Sequence, residues 1–329
     1  MTPLLDRALD LAVVPGYSRL GYALRGLRWD DAAAAGSLEG RTVLVTGASS
    51  GLGEAACEGL AAAGANVHML VRDVGRGAQA VSRIESRLPG AGARLTLEQC
   101  DLSDLDGVRR FAEAFLARHG RLDTLVNNAG VLVRRREQTA DGIELTFATN
   151  VLGPFLLTSL LLPALQAAAP SRVITVSSGG MYTARLDAND PQLERREFDG
   201  PSFYANTKRA EVVLNRAWSD HHAGDGIAFH AMHPGWADTT GLRSSLPRFA
   251  RLMSPLLRDA YQGADTIVWL ATASELEPAT AGFWQDRAAR PEHRVPWTRE
   301  TASDRERLWA YCERLSTRDP SRDPIAATT

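Results

Sequence analysis

The sequence predicts an α/β protein built on a doubly wound parallel sheet, in a three-layer α/β/α arrangement. Three features predict it. From Thr42 onward, strand-like and helix-like stretches alternate along the chain. Most of the strand-like stretches are predominantly apolar, as strands sandwiched between two helix layers should be. The first of them, Thr42-Val43-Leu44-Val45, runs through Thr46-Gly47, Gly51 and Gly53 into an alanine-rich helical segment. That is a strand, a tight turn and a helix.

Composition bounds the rest. The chain has 329 residues, 44% hydrophobic and 23% charged, with a formal net charge of -2. This suits one large α/β domain with ample apolar material for a core. The near-neutral balance excludes the basic face that nucleic acid requires. Cys57, Cys100 and Cys312 lie far apart and match no metal or redox spacing, so thiols in a reducing cytoplasm are expected. Met1–Leu20 lacks a continuous apolar centre followed by a cleavage site. The longest apolar run, Val151–Leu165, holds Gly153, Pro154 and Pro163 and is short for a bilayer span. The expectation is a protein with no transmembrane segment.

Residues 1–39 are expected to form a helical extension. Leu4, Leu5, Ala8, Leu11 and Ala12 recur at helical spacing, Pro15-Gly16 breaks the pattern, and an amphipathic stretch with Arg19, Arg25 and Arg28 follows. Packing on the domain is favoured over a membrane-surface anchor. The main domain runs from 40 to 285. Its strands are predicted at 42–47, 66–71, 94–99, 122–127, 171–177, 226–232 and 281–285, and its helices at 52–64, 76–88, 105–119, 141–168, 204–222 and 262–273. A helix at 303–315 belongs to a C-terminal extension, 286–329. Right-handed crossovers then bring every strand's C-terminal end to one rim, where ligands bind.

The corner at Gly47, Gly51 and Gly53 is the strongest local feature. Glycines serve where a turn needs positive φ or where a ligand must approach bare backbone. The helix opening at Gly51 aims unsatisfied N–H groups and its positive dipole end at that ligand, which should be anionic. The diphosphate of a dinucleotide fits. At the end of the second strand, an acidic residue would accept from a free ribose 2′-hydroxyl. Here Val71 is followed by Arg72, whose guanidinium would pair with a 2′-phosphate. NADP is favoured, with NAD as the alternative; a surface pair between Arg72 and Asp73 is the competing explanation.

Four further motifs stand in order along the chain: Asn127-Asn128-Ala129-Gly130, Asn150, Ser177-Ser178 after a strand, and Tyr204-Ala205-Asn206-Thr207-Lys208. Together with Thr46-Gly47-Ala48-Ser49-Ser50-Gly51-Leu52-Gly53, they resemble the short-chain dehydrogenase/reductase family over about residues 40–285. Within that family, the stretches VITVSSGGMYT, EFDGPSFYANTKR and MHPGWADT look most like the dehydrogenase/reductase family member 12 group and, more loosely, the retinol dehydrogenases. The resemblance implies a Rossmann fold and an NAD(P)-dependent oxidoreductase acting on an alcohol or a carbonyl compound.

By the same resemblance, Tyr204 is the general acid/base and Lys208 the cation that favours its phenolate while reaching the nicotinamide ribose. Ser178 orients the substrate oxygen, with Ser177 as the competing choice. Asn150 holds a water that relays protons, in a helix that Gly153 and Pro154 would kink. Gly47, Ser49, Ser50, Gly51, Leu52 and Gly53 bind the diphosphate. Asp101 and Leu102 contact the adenine, Asn128 and Gly130 underlie its ribose, and Pro234 with Thr239 holds the nicotinamide amide. His233 is expected to be structural, and Arg134, Arg135 and Arg136 to form a solvated loop.

One departure stands out. Ser178 and Tyr204 are about twice as far apart as is usual in the family, and the extra stretch, 184–201, is expected to shape the substrate pocket. A lid at 240–261 mixes Leu, Met and Phe with Arg, which suggests a lipophilic substrate, with Trp236, Phe249, Met253 and Leu257 as pocket candidates. The assembly is left as monomer or homo-oligomer. A nucleotide-binding regulator with little catalysis is the alternative function; retention of both Tyr204 and Lys208 argues against it.

Overall fold

A computed structural model describes residues 3–29, 36–238, 242–243, 247–274 and 280–317. Its centre is an eight-stranded sheet in the order β3-β2-β1-β4-β5-β6-β7-β8. The strands are β1 Thr42–Thr46, β2 Asn66–Val71, β3 Leu95–Gln99, β4 Thr124–Asn127, β5 Ser171–Val176, β6 Ile227–Met232, β7 Gly282–Gln285 and β8 Ala288–Ala289. The first seven run parallel, and β8 is antiparallel to β7. All seven predicted strands are present. The short β8 was not anticipated, because two alanines carry no alternation to read.

Chain order reverses direction between β1 and β4, which opens a crevice at their C-terminal ends. Side chains alternate across this sheet as the pleat demands. Leu44, Leu125 and Val173 enter one apolar layer, and Val43, Val45, Val126 and Ile174 the other.

Helices cover both faces. Three short ones come first: α1 Pro3–Leu11, α2 Val13–Tyr17 and α3 Arg19–Gly26. They are followed by α4 Gly51–Ala62, α5 Val74–Arg87 and α6 Leu105–Arg118. A long helix, α7, spans Leu145–Ala167, and α8 spans Gly200–His221. The last three are α9 Pro247–Met253, α10 Ala260–Thr272 and α11 Ala302–Thr317. Side chains of α4 (Cys57, Leu60) and α10 (Ile267, Leu270) share one layer. Those of α6 (Phe111, Phe115), α7 (Leu157), α8 (Trp218) and α11 (Leu308, Cys312) share the other. Each such fully buried side chain contributes about 1.5–3 kcal/mol.

By length and apolar composition α7 could cross a membrane, but 78% of its apolar window is buried inside the fold. The helix predicted at 141–168 runs from Leu145 to Ala167, so it extends beyond the apolar run Val151–Leu165 at both ends. Its distortion also differs from the expected proline kink: Ala148–Leu152 forms a turn of π-helix, and Pro154 sits in the first turn of the α-helical part that follows.

The N-terminal helices are locked to the far end of the chain. Arg25 donates to Asp6 at 2.8 Å and to Asp286 at 2.5 Å, and Arg258 binds both oxygens of Asp286, at 2.5 and 2.8 Å. Arg290 closes the ring on Asp6. Only tertiary structure brings Asp286 to Arg25, 261 positions away, and Asp6 to Arg290, 284 positions away.

Candidate active site

The diphosphate corner forms as expected. Gly47 adopts φ +67°, and a Cβ there would stand 2.8 Å from the Ala129 Cα. A Cβ on Gly53 would meet the Gly47 carbonyl oxygen at 2.3 Å, so α4 can approach β1 only with glycine at that position. Ser50 is the N-cap of α4, yet its hydroxyl makes no capping hydrogen bond. The first amides of α4 are therefore left for a ligand. Asn128 braces the turn: its Nδ2 donates to the Thr46 carbonyl at 2.9 Å and its amide to the Thr46 Oγ1 at 2.9 Å.

These residues open onto a cavity of about 700 Å³. Of the sequence-predicted residues, Gly47, Ser49, Ser50, Gly51, Leu52, Gly53, Arg72, Asp101, Leu102, Asn128, Gly130, Ser178, Tyr204, Lys208 and Pro234 all line it. The bare glycine cradle, the free helix N-terminus and a cation at the end of β2 together fit a dinucleotide.

Arg72 is 69% exposed, and its Nε lies 4.0 Å from a carboxylate oxygen of Asp101. Asp73 is not its partner, because Asp73 caps α5 by accepting from the Arg76 amide at 3.0 Å. Arg76, unremarked in the sequence, joins Arg72 on the cavity wall. An Arg one helical turn into α5 is the signal that could have found it.

Tyr204 and Lys208 sit one turn apart on α8, with the Lys208 Nζ 5.6 Å from the centre of the Tyr204 ring. Ser178 lines the same cavity as Tyr204, favours its phenolate, and accepts from the Gly180 amide at 3.2 Å. The competing Ser177 is taken: it is buried and donates to the Lys208 carbonyl at 2.7 Å. Despite the longer interval between them, Ser178 and Tyr204 line one cavity.

Burial pushes the Tyr204 phenol up from its ordinary value; Lys208 opposes this, and Glu211 reinforces it. Spacing suggests that Lys208 should hold the phenol down, but burial is the larger influence and outweighs it. The Lys208 Nζ is itself paired with the Glu211 Oε1 at 2.7 Å and donates to the Val176 carbonyl at 2.9 Å. Burial disfavours the Lys208 ammonium, but Glu211 outweighs burial and keeps it charged.

Asn150 does not line the cavity. Its Oδ1 accepts from the Val131 amide at 2.8 Å, and its Nδ2 donates to the Val131 carbonyl and to Thr207 Oγ1, each at 3.0 Å. The side chain clamps the loop after β4 to α8. His233 is structural: burial pushes its imidazole well down, and Tyr17, Tyr182 and Phe283 surround it.

Two expectations about the substrate side differ from the structure. The segment 184–201 touches the cavity only at Pro201. The reason is Arg136, whose Nη1 donates to the carbonyls of Gln192 at 2.6 Å and Leu193 at 3.0 Å. Gln192 in turn accepts from the Glu144 amide and donates to the Tyr311 hydroxyl, so the insertion lies over α7 and α11. Arg136 is thus a strut, where a solvated loop was expected.

Trp236 before the lid and Leu242 within it line the cavity, whereas Met253 and Leu257 do not. Thr239 lies outside the described residues, as does the side chain of Phe249. Behind Ser178 the N-terminal extension packs against the site without lining it: a Cβ on Gly179 would strike the Tyr17 ring at 2.5 Å.

A family model for short chain dehydrogenases matches residues 41–249. The chain is 42% identical over 282 residues to dehydrogenase/reductase SDR family member 12 of Bos taurus, covering 85% of this chain and 87% of that one. Retinol dehydrogenase 12 of Homo sapiens is 37% identical over 287 residues, covering 85% and 88%. Among solved structures, a protein from Mycobacterium Paratuberculosis aligns at a TM-score of 0.70 and 29% identity, over 88% of this chain and 98% of that one. The Pseudomonas aeruginosa RhlG/NADP active-site complex aligns at 0.61 and 26%, over 76% and 96%. A family match across most of the chain, joined to this sheet order and this glycine corner, makes the chain a member of the short-chain dehydrogenase/reductase family of oxidoreductases.

Proposed function

We propose that this oxidoreductase is an NADP-dependent carbonyl reductase or alcohol dehydrogenase for a lipophilic substrate, with Tyr204 as its general acid/base. One observation carries the reading: Tyr204, Lys208, Ser178 and the whole glycine corner line a single cavity. The NADP preference rests on Arg72 and Arg76 at the end of β2, and on a relative solved with NADP. The lipophilic substrate rests on Trp236 and Leu242 in the cavity wall and on retinol dehydrogenases among the relatives.

When bound, the nicotinamide supplies or accepts the hydride. The chain's own groups do the rest. Ser178 holds the substrate oxygen against the Tyr204 hydroxyl. In reduction the Tyr204 O–H bond breaks as the substrate oxygen takes its proton, and in oxidation the phenolate receives one. Lys208 stays charged throughout and stabilises the phenolate form.

NADPH consumption against a panel of aldehydes and ketones tests this. Turnover is expected in the wild type, and Tyr204→Phe should lose about 10²–10⁴-fold in kcat/KM with NADPH affinity retained. A panel without turnover in either direction would sink the reading.

A further inference from the structure

Three residues after Lys208, α8 carries Glu211, and nothing in the sequence reading gave it a task. Its side chain is 6% exposed and that of Lys208 is 4% exposed, and the two are 2.7 Å apart. The other carboxylate oxygen, Oε2, is buried and has no hydrogen-bond partner. A carboxylate in that position is expensive to desolvate, and the Lys208 ammonium is its only compensation. A core helix position so close to a sheet would ordinarily be apolar, as the next two residues, Val212 and Val213, are.

The ammonium that Glu211 holds is the one that would make Tyr204 acidic. An isolated cation favours a neighbouring phenolate, whereas an ion pair with no net charge projects little field onto it. We propose that Glu211 is a positioning residue that fixes the Lys208 ammonium and offsets its charge, keeping Tyr204 protonated at neutral pH and setting the site for carbonyl reduction. This rests on the reading of Tyr204 as the general acid.

The charged surroundings are simple. Lys208 and Glu211 are the charged groups acting on Tyr204, and Lys208 alone acts on Glu211. β5 and the residue after it contribute the Val176 carbonyl and Ser177, both uncharged. His230 on β6 and His233 beyond it are held neutral by burial. From α7 comes the amide of Asn150, and Glu144 before it is occupied in capping Phe147. Arg305 of α11 pairs with Asp220 at the far end of α8. Burial lifts the Glu211 carboxyl to about 7 against the pull of Lys208, so the offset grows as pH rises through neutrality.

In reduction, hydride reaches the carbonyl carbon and the Tyr204 proton reaches the oxygen, after which solvent re-protonates Tyr204. Glu211 exchanges no atom with the substrate. Its effect is on where along the pH axis Tyr204 can give or take a proton.

The test is NMR titration of protein carrying 13C at tyrosine Cζ, with Tyr204→Phe identifying the signal. In the wild type, Tyr204 should ionise at or above the free-tyrosine value of about 10. In Glu211→Gln, its ionisation constant should rise about tenfold or more. The pH midpoint for alcohol oxidation should fall in step, with NADPH affinity little changed. Glu211→Met removes the charge while keeping the stem volume and should give the same shift. A wild-type Tyr204 midpoint near 7 would overturn the proposal, as would coincident titrations in wild type and variant. The titration needs no substrate, so this failure is distinct from an empty substrate panel, which would refute the oxidoreductase reading instead.

Discussion

Arg72→Ala tests the cofactor preference most directly. Arg72 stands at the C-terminal end of β2 on the cavity wall, 69% exposed, with a carboxylate oxygen of Asp101 4.0 Å away. A charge-assisted hydrogen bond to a phosphate is worth about 1.5–3 kcal/mol. Such an exposed guanidinium belongs at or below the lower end, because water and salt screen it. About 1.4 kcal/mol is tenfold in affinity. Arg72→Ala should therefore weaken NADPH binding about tenfold while changing NADH binding less than about twofold. Adding Arg76→Ala should deepen the NADPH loss toward about a hundredfold, provided the two act independently. Quenching of tryptophan fluorescence, titrated with each cofactor at two salt concentrations, reads both constants. Equal losses for NADPH and NADH would refute the 2′-phosphate argument and leave Arg72 as a general electrostatic contact.

Two other perturbations concern the frame around the site. Asp286→Asn leaves the buried guanidiniums of Arg25 and Arg258 facing a neutral amide, which should cost about 3–5 kcal/mol. Urea unfolding measures it, and faster proteolysis within α1–α3 should accompany it; an unchanged midpoint would remove the ion-pair network from the account of how the N-terminal helices dock. His230 is held neutral by burial and by Arg172, with its imidazole pushed down to about 4, and its Nδ1 accepts from Trp284 Nε1 at 3.2 Å. Its stabilising contribution is thus complete above the unfolded value of about 6.5 and is lost as pH falls from there toward 4. His230→Asn should flatten the decline in stability between pH 7 and 5 by about 2 kcal/mol, measured by denaturant titration at each pH. A decline as steep as in the wild type would show that other groups, such as His68 or His233, set the acid limb.

Much of the fold was legible in the chain because its signals are local. Mostly apolar runs alternating with helical stretches mark the strands, and the turn at Gly47 and the close approach at Gly53 are written into the residue type. Tyr204 and Lys208 could be paired from spacing alone, since four residues on a helix is one turn and one face. Their chemistry needed no knowledge of the rest.

What spacing could not carry was who else reaches that face, and how dry it is. Glu211 is as near to Lys208 in sequence as Tyr204 is, yet only the sheet packed against α8 makes it a buried ion rather than a solvated one, and burial is what gives it leverage over the phenol. The same holds for Arg136, which draws the insertion away from the cleft, and for Tyr17, which packs the N-terminal extension against Gly179 beside Ser178. Local sequence determined which elements form and which residue types face the cofactor. Tertiary packing decided the electrostatics, because desolvation and long-range ion pairs exist only once segments hundreds of residues apart have met.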